Sequence, residues 1–237
     1  MKLLLISNST NAGEAYLDHP KYEIQKFLGS EPTDVLFIPY AAITFSFDEY
    51  ENKVNQRFAE IGHHVTSIHH FKNPYEAVMQ AKVIVVGGGN TWKLVRLLYQ
   101  NRIIHAIRKR VVAGIPYIGW SAGSNVACPT LRTTNDMPIV APIGFATFNF
   151  VPFQINPHYL DDHPENFGGE TREQRIREFL VENKKTYVVG LREGTMLKYE
   201  NEKLQLIGNR TARIFHFKQQ EPIELSSKDN FDFLMGN

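Results

Sequence analysis

The stretch "YIGWSAGSNVA", from Tyr117 to Ala127, places a serine between two glycines directly after a short apolar run. The apolar residues predict a strand, and "AGSNVA" can begin a helix. In a G-x-S-x-G turn, small residues let the chain reverse sharply, so that the serine hydroxyl is exposed at the edge of a sheet. The stretch therefore predicts a strand, a turn and a helix, with Ser121 either a nucleophile or an ordinary serine in a tight turn.

Other short apolar runs in the first half of the chain resemble the one before Ser121. They cover residues 3–8, 35–40, 64–71 and 83–89, and the segments between them with helical spacing cover residues 47–61, 90–99 and 103–112. Strands that alternate with helices predict parallel strands joined by right-handed crossovers. The fold class expected is α/β, with a mostly parallel sheet flanked by helices on both faces.

The chain changes character after Pro129. Residues 129–157 are rich in Pro, Asn, Thr and Phe and have no sustained period, which is typical of a functional loop or of short strands. A helix is predicted within residues 170–183, where Thr171 and Gln174 have the spacing of a capping box. Segments 187–191, 195–208 and 212–225 predict a strand and then antiparallel hairpin strands. Because no repeat or linker divides the chain, residues 1–237 are expected to form a single domain.

Composition excludes several classes of partner. The 237 residues include 43% hydrophobic and 22% charged residues, and the formal net charge is +1, so neither nucleic acid nor a membrane surface is expected to bind. The opening "MKLLLISNST" is too short in apolar residues for a secretory signal and is expected to be the first strand. One cysteine, Cys128, allows no intrachain disulfide and suits a cytoplasmic location.

A catalytic serine needs a base, an orienting group and donors for an oxyanion. Among nine histidines, His158 in "QINPHY" follows a strand-like run and a proline, a rigid position that makes it the candidate base. Asp136 in "TTNDMP" and Glu193 in "GLREG" are both candidate orienting carboxylates. The loop "GGGNT", residues 87–91, ends another strand and offers backbone amides, although it can equally be a plain helix-entry turn.

Two histidine pairs raise the question of a metal. They are His63–His64 and His69–His70, and no flanking carboxylate pattern accompanies either pair. We therefore expect no metal and no other cofactor.

Eight stretches together are similar to the peptidase E family of α-aspartyl dipeptidases. They are "LLLISNST", "FIPYA", "FDEY", "VVGGGNTW", "YIGWSAGSN", "ACPTLRTTNDMPIV", "QINPH" and "GETREQRIRE", and they occur in this order between Leu3 and Glu178. The resemblance implies a cytoplasmic serine peptidase that cleaves dipeptides with N-terminal L-aspartate. It also implies an α/β fold like that of class I glutamine amidotransferases.

The resemblance carries specific roles onto matching residues. It implies that Ser121 is the nucleophile and His158 the base, while the third member is either Asp136 or Glu193. Asp136 ranks first, because its motif "RTTNDMP" matches fully, whereas "LREGTML" lacks the proline that usually precedes the family's glutamate.

The remaining implied roles concern the oxyanion and the substrate. The amides of Gly89 and Ala122 would stabilise the oxyanion. An arginine fork is the expected partner of the substrate carboxylate, with Arg172 the first choice and Arg132 the second. The small-molecule substrate is the one expected partner. The chain is expected to be a monomer or a homodimer.

Two rival functions stay open at this point. A cyanophycinase-like hydrolase would keep the serine but cleave β-linked aspartyl substrates. A non-catalytic module would bind a small molecule through the "GGGN" loop and would hydrolyse nothing.

Overall fold

A computed structural model describes residues 1–161 and 168–236, which form two sheets with helices packed around the larger one. The described strands are β1 (Leu3–Ile6), β2 (Asp34–Ile38), β3 (His64–Ser67), β4 (Ile84–Val86), β5 (Tyr117–Trp120), β6 (Gln154–Tyr159), β7 (Val188–Arg192), β8 (Met196–Glu200), β9 (Lys203–Ile207), β10 (Ala212–Phe215) and β11 (Ile223–Leu225). The described α-helices are α1 (Lys21–Leu28), α2 (Phe47–Ala59), α3 (Pro74–Gln80), α4 (Thr91–Gln100), α5 (Ile104–Val112), α6 (Ala122–Asn125) and α7 (Arg172–Glu182).

The larger sheet has seven strands in the order β3-β2-β4-β5-β1-β8-β9. The five strands from β3 to β1 pair in parallel, and β8 and β9 extend the sheet as an antiparallel hairpin. The smaller sheet has the order β11-β10-β7-β6, with β6 and β7 parallel and the other pairs antiparallel. The predicted fold class, including the antiparallel strands near the C-terminus, is confirmed.

Strand β1 shows why the apolar runs do not alternate with polar residues. Successive side chains of a strand point to opposite faces of the sheet. Leu3 and Leu5 pack into a core that they share with α3, α4, α5 and the smaller sheet. Leu4 and Ile6 pack into a second core with α1 and α2. Both faces are covered, so every position of β1 is buried.

Some boundaries differ from the expectation. The strand predicted over residues 64–71 ends at Ser67, and a turn of 3-10 helix follows at Ile68–His70. Helices α1 and α3 were not predicted. The capping box that begins α7 is confirmed, since Thr171 accepts the Gln174 N–H and the Gln174 side chain accepts the Thr171 N–H. In the part of the chain that the structure describes, no helix combines the length and the apolarity needed to cross a membrane.

Candidate active site

Ser121 lies in the turn between β5 and α6, with φ 52° and ψ −112°. This backbone conformation is unfavourable for a residue with a side chain, by about 1–3 kcal/mol. The surrounding glycines allow it. A Cβ at Gly119 would overlap the Gly123 carbonyl oxygen, and a Cβ at Gly123 would overlap the Val86 carbonyl oxygen. The spacing of the G-x-S-x-G turn therefore follows from close backbone approach on both sides of the serine.

Hydrogen bonds hold this turn against the sheet. The Ser121 N–H donates to the Ile6 carbonyl over 3.0 Å. The Ser124 hydroxyl lies 2.7 Å from the same Ile6 oxygen and 2.8 Å from the Gly119 oxygen, with no exposure to solvent. These contacts fix the Ser121 backbone and leave its hydroxyl to contact groups outside the turn.

The sequence predicts His158 just after a strand-like run, whereas the structure places it within β6 of the smaller sheet. The pairing of β6 with β7 shifts register between Asn156 and Tyr159, and His158 has φ 53°. Its N–H donates to Ser7 Oγ over 3.0 Å, and the Ser7 hydroxyl donates to the Leu191 carbonyl over 2.7 Å. Because an irregularity of this kind re-aims a side chain, the imidazole leaves the sheet and points toward the turn after β5.

Three side chains form a continuous hydrogen-bonded series. Ser121 Oγ lies 2.8 Å from His158 Nε2, and His158 Nδ1 lies 2.7 Å from Glu193 Oε1. An ionised carboxylate only accepts hydrogen bonds, so Nδ1 carries the imidazole proton and Nε2 accepts from the serine hydroxyl. The arrangement is that of a nucleophile, a base and an orienting carboxylate.

Asp136 does not take part in this series, although the match of its sequence motif ranks it above Glu193. Its Oδ2 accepts the Thr91 N–H over 2.7 Å, the Thr91 hydroxyl over 2.6 Å and the Thr134 hydroxyl over 3.0 Å. Thr91 is the first residue of α4, so Asp136 caps that helix with one carboxylate oxygen. The full match of its motif therefore reflects a position beside the histidine's cavity, not contact with the histidine.

Glu193 follows β7 directly, and its neighbours fix that end of the strand. The Arg192 side chain, 8% exposed, pairs with both oxygens of Asp161 over 2.6 Å and with both oxygens of Glu224 over 2.8 Å. Hydrogen bonds from Arg192 lower the pKa of Asp161 and of Glu224 below their usual values. On the other side, the Gly194 N–H donates to the Asn8 side-chain oxygen over 2.8 Å.

The series opens on a cavity of about 400 Å³. Ser121, His158, Glu193, Asp136 and Arg172 all line it. The volume lies within the range of small-molecule sites, roughly 300–1,000 Å³.

Arg172, the first residue of α7, is the cation among the described residues that line this cavity. Partial burial, together with the neighbouring Arg175, lowers the pKa of its guanidinium, and Asp136 acts in the opposite direction. The group nevertheless remains charged at neutral pH. Within residues 1–161 and 168–236, no hydrogen bond or ion pair of the Arg172 side chain is found.

Arg132, the second choice for the substrate, lies elsewhere. Its exposed guanidinium donates to the Asn183 side chain over 3.1 Å and lies 5.4 Å from the centre of the Phe179 ring. Arg132 does not contribute to the described wall of the cavity. It instead links its loop to the end of α7.

The two amides expected at the oxyanion differ in position. Ala122 lines the cavity beside Ser121, whereas Gly89 is not among the described lining residues. In the described ranges, neither N–H donates a hydrogen bond within the chain. Gly89 has φ 129°, and a Cβ there would overlap the Ala41 carbonyl oxygen. The glycine loop also lies against the serine, since a Cβ at Gly88 would be 3.0 Å from Ser121 Cβ.

Several residues of the site were not identified from the sequence. Ser7, Asn8 and Arg192 hold His158 and the segment around Glu193, and each lies at or just beyond the C-terminal end of a buried strand. The available signal was the polar pair that ends "LLLISN", because α/β sheets carry their sites at the carboxyl ends of strands.

Comparison with known proteins gives the family. The profile described as Peptidase family S51 matches residues 3–207. The chain belongs to this family of serine peptidases. The resemblance to peptidase E is confirmed, and so is the expectation of a serine-type dipeptidase.

Curated relatives extend the match to nearly the whole chain. Peptidase E of a Nostoc species is 50% identical over 234 residues, which cover 99% of this chain and 96% of the relative. Peptidase E of Shewanella denitrificans is 44% identical over 218 residues, which cover 92% of each chain. Peptidase E of Salmonella paratyphi A is 46% identical over 215 residues, which cover 91% of this chain and 93% of the relative.

Solved structures support the fold. The crystal structure of a peptidase from an acI-B1 Actinobacterium superposes with a TM-score of 0.70 at 17% identity, covering 97% of this chain and 96% of that one. A putative peptidase E protein from Listeria monocytogenes superposes with a TM-score of 0.58 at 20% identity, covering 95% and 98%.

Proposed function

We propose that the chain is an α-aspartyl dipeptidase that hydrolyses dipeptides and related compounds with N-terminal L-aspartate through an acyl-enzyme on Ser121. One observation carries the proposal. The hydrogen-bonded series Ser121–His158–Glu193 opens on a cavity whose wall also carries the Arg172 guanidinium. A nucleophile and a cation in one small cavity match a substrate that brings a carbonyl and a nearby carboxylate.

The reaction is acyl transfer. Ser121 Oγ attacks the aspartyl carbonyl while its proton passes to His158 Nε2, 2.8 Å away. The tetrahedral oxyanion collapses, His158 protonates the leaving amine, and the aspartyl group stays as an ester on Ser121. A water molecule, deprotonated by the same nitrogen, then attacks the ester and releases aspartate.

Glu193 is proposed as the third member of the triad in place of Asp136. Its contact with Nδ1 fixes the tautomer in which Nε2 is free to accept a proton, and its charge stabilises the imidazolium that forms. Ala122 and Gly89 remain the proposed oxyanion donors, because both amides are free in the described ranges, Ala122 follows Ser121 and the glycine loop lies against it.

Arg172 and Asp136 are proposed to recognise the two charges of the substrate. Arg172 would take the aspartyl side-chain carboxylate, because bidentate pairing gives both charge and geometry. Asp136 would take the α-ammonium group, since the hydrogen bonds found within the described residues all go to Oδ2 and the carboxylate lines the cavity. Burying either substrate charge without a partner would be costly.

A hydrolysis panel tests the proposal. Asp-Leu, Glu-Leu, Asn-Leu and β-Asp-Leu are incubated with the wild type and with Ser121→Ala, with EDTA present throughout. We expect cleavage of Asp-Leu alone, and a loss of about 10⁴-fold or more in kcat for Ser121→Ala. The thermal unfolding of Ser121→Ala serves as the control for folding.

Each other result points to a different function. Cleavage of β-Asp-Leu in place of Asp-Leu would keep the nucleophile and indicate a hydrolase of β-linked substrates. Full activity of Ser121→Ala would overturn the acyl-enzyme, and no hydrolysis by the wild type would favour a binding module. The small-molecule substrate as the one partner, the monomer or homodimer, and the cytoplasmic location stay predictions.

A further inference from the structure

Four side chains with metal-binding groups converge at the outer end of the larger sheet. Asp48 and Glu51 lie in the first turns of α2, and His69 and His70 lie in the 3-10 helix after β3. One ligand atom from each residue can be chosen so that all four lie within 4.8 Å of one another. No carboxylate pattern flanks the His69–His70 pair in the sequence, because the carboxylates come from a different element.

The distances within this cluster suit a common ion. His69 Nε2 lies 2.9 Å from Asp48 Oδ1, and His70 Nε2 lies 3.7 Å from the same oxygen and 2.6 Å from Glu51 Oε2. Around a tetrahedral ion with bonds of about 2.0–2.1 Å, neighbouring ligand atoms are about 3.4 Å apart. Shifts of about an ångström would therefore bring both imidazole nitrogens and both carboxylates onto one ion.

Ser67 holds two members of the cluster by hydrogen bonds. Its hydroxyl lies 2.6 Å from His69 Nδ1, and its N–H donates to Glu51 Oε1 over 2.6 Å. Ser67 is fully buried at the end of β3, so both partners are held by a rigid strand. A ligand histidine usually donates its second ring N–H to a fixed acceptor, and ligand carboxylates are themselves hydrogen-bonded. The cluster has both features.

We propose that Asp48, Glu51, His69 and His70 bind one divalent transition-metal ion, of which Zn²⁺ fits the donors best. Zinc accepts mixed imidazole and carboxylate ligands in a tetrahedral site. Two neutral imidazoles and two carboxylates compensate its charge. On binding, Nε2 of each histidine gives up any proton to solvent, and the remaining Nδ1–H of His69 donates to the Ser67 hydroxyl.

The expected role of the ion is to join α2 to the end of β3. Strand β3 is separated from β5 by β2 and β4, which corresponds to about 14 Å at about 4.8 Å for each strand. The ion is thus remote from Ser121 and is expected to change stability, not catalysis. The site does not rest on the proposed function, because its tests measure binding and unfolding.

Titration calorimetry with Zn²⁺ on the EDTA-treated, dialysed full chain tests this site. We expect one Zn²⁺ per chain and a rise in Tm on its addition. His70→Gln and Glu51→Gln should each weaken binding by at least about tenfold, and Ser67→Ala by about 10–100-fold. His64→Gln is the matched control, because this exposed histidine lies on β3 outside the cluster and should bind Zn²⁺ like the wild type.

A spectroscopic measurement on the wild type tests the site without relying on variants that must fold. Co²⁺ added to the wild type should give the intense visible absorption bands of a tetrahedral site, and equimolar Zn²⁺ should abolish them. Absence of Zn²⁺ binding to the wild type would overturn the proposal. So would Zn²⁺ binding that is as tight in His70→Gln and Glu51→Gln as in His64→Gln, since the ion would then sit elsewhere.

Discussion

The two halves of the catalytic centre are built differently. Ser121 belongs to the larger sheet, and its position follows from four residues around it, two of which are glycines that allow close backbone contacts. His158 and Glu193 belong to the smaller sheet, and distant residues hold them in place. Ser7, which supports the His158 backbone, is separated from it by 151 positions in the chain. We call the Ser121 turn the local half of the centre, because neighbouring residues position it. We call His158 and Glu193 the non-local half, because residues distant in the chain position them. The two halves meet between the two sheets.

The comparison teaches which side chains a motif can identify. A turn such as Gly119–Gly123 carries its own geometry in its residue types, so a short pattern is enough to find it. The orienting carboxylate has no such pattern, because what selects it is contact with His158 after both strands have paired. For this reason the full "RTTNDMP" motif favoured Asp136, whereas the shorter match around Glu193 contains the residue that contacts the imidazole.

The sharpest test of the non-local half compares its two carboxylates. Glu193→Gln should lower kcat for Asp-Leu by about 10³–10⁴-fold, because the amide no longer stabilises the imidazolium and can hold the wrong tautomer. Asp136→Asn should instead act mainly through KM, as expected for a group that binds the substrate ammonium. Both are measured as kcat and KM by steady-state hydrolysis.

Glu182→Gln provides the control, because this exposed glutamate at the end of α7 makes no side-chain hydrogen bond to any described residue. Its kinetics should equal those of the wild type. If Asp136→Asn lost kcat and Glu193→Gln did not, the assignment of the triad from hydrogen-bond geometry would be wrong.

The next largest effect concerns the local half. Gly123→Ala should lower the free energy of unfolding by about 3 kcal/mol, because the added Cβ overlaps the Val86 carbonyl oxygen in a fully packed core. Urea unfolding measures the loss. Gly168→Ala is the control, since a Cβ there meets no atom of the described residues within 4 Å. Equal stability of the two variants would show that the turn does not depend on close backbone approach.

The extent of the prediction from sequence follows the same division. The parallel strands could be identified because both faces of residues such as Leu3 and Leu4 are buried, which leaves continuous apolar runs. Strand β6 is harder to identify from the sequence, because it lacks an alternation of polar and apolar residues. Its polar residues Asn156 and His158 instead make contacts at the site. The cluster of Asp48 with His69 could not be identified either, since α2 and β3 meet only in the folded chain.

Substitution of Arg192 removes the ion pairs with Asp161 and Glu224 that support the non-local half. Arg192→Met should lower the free energy of unfolding by about 2 kcal/mol at pH 7, less than for a fully buried pair because its partners are partly exposed. Asp161 and Glu224 have lowered pKa values when folded, so the stability they give is present above their unfolded pKa and is lost as the pH falls through the folded value. The difference in the free energy of unfolding between wild type and Arg192→Met should therefore become smaller below about pH 4.

Urea unfolding at pH 7 and at lower pH measures this difference. Arg96→Met is the control, since Arg96 on α4 forms no ion pair with the described residues. A difference in unfolding free energy that stays constant with pH would mean that Arg192 stabilises the fold by packing and not by its ion pairs.

Ser7 gives the smallest expected effect on kcat and tests whether the two halves are coupled. In Ser7→Ala the His158 N–H loses its acceptor and the Leu191 carbonyl loses its donor, and each lost hydrogen bond costs about 1 kcal/mol. Because this contact positions the backbone of the proposed base, kcat should fall by about tenfold or less while KM stays unchanged. Ser9→Ala, two residues along, is the matched control, since no hydrogen bond of the Ser9 hydroxyl is found in the described chain. A loss of stability in Ser7→Ala without any change in kcat would show that β6 holds His158 by itself, and the non-local half would then be less dependent on distant residues than the hydrogen bonds suggest.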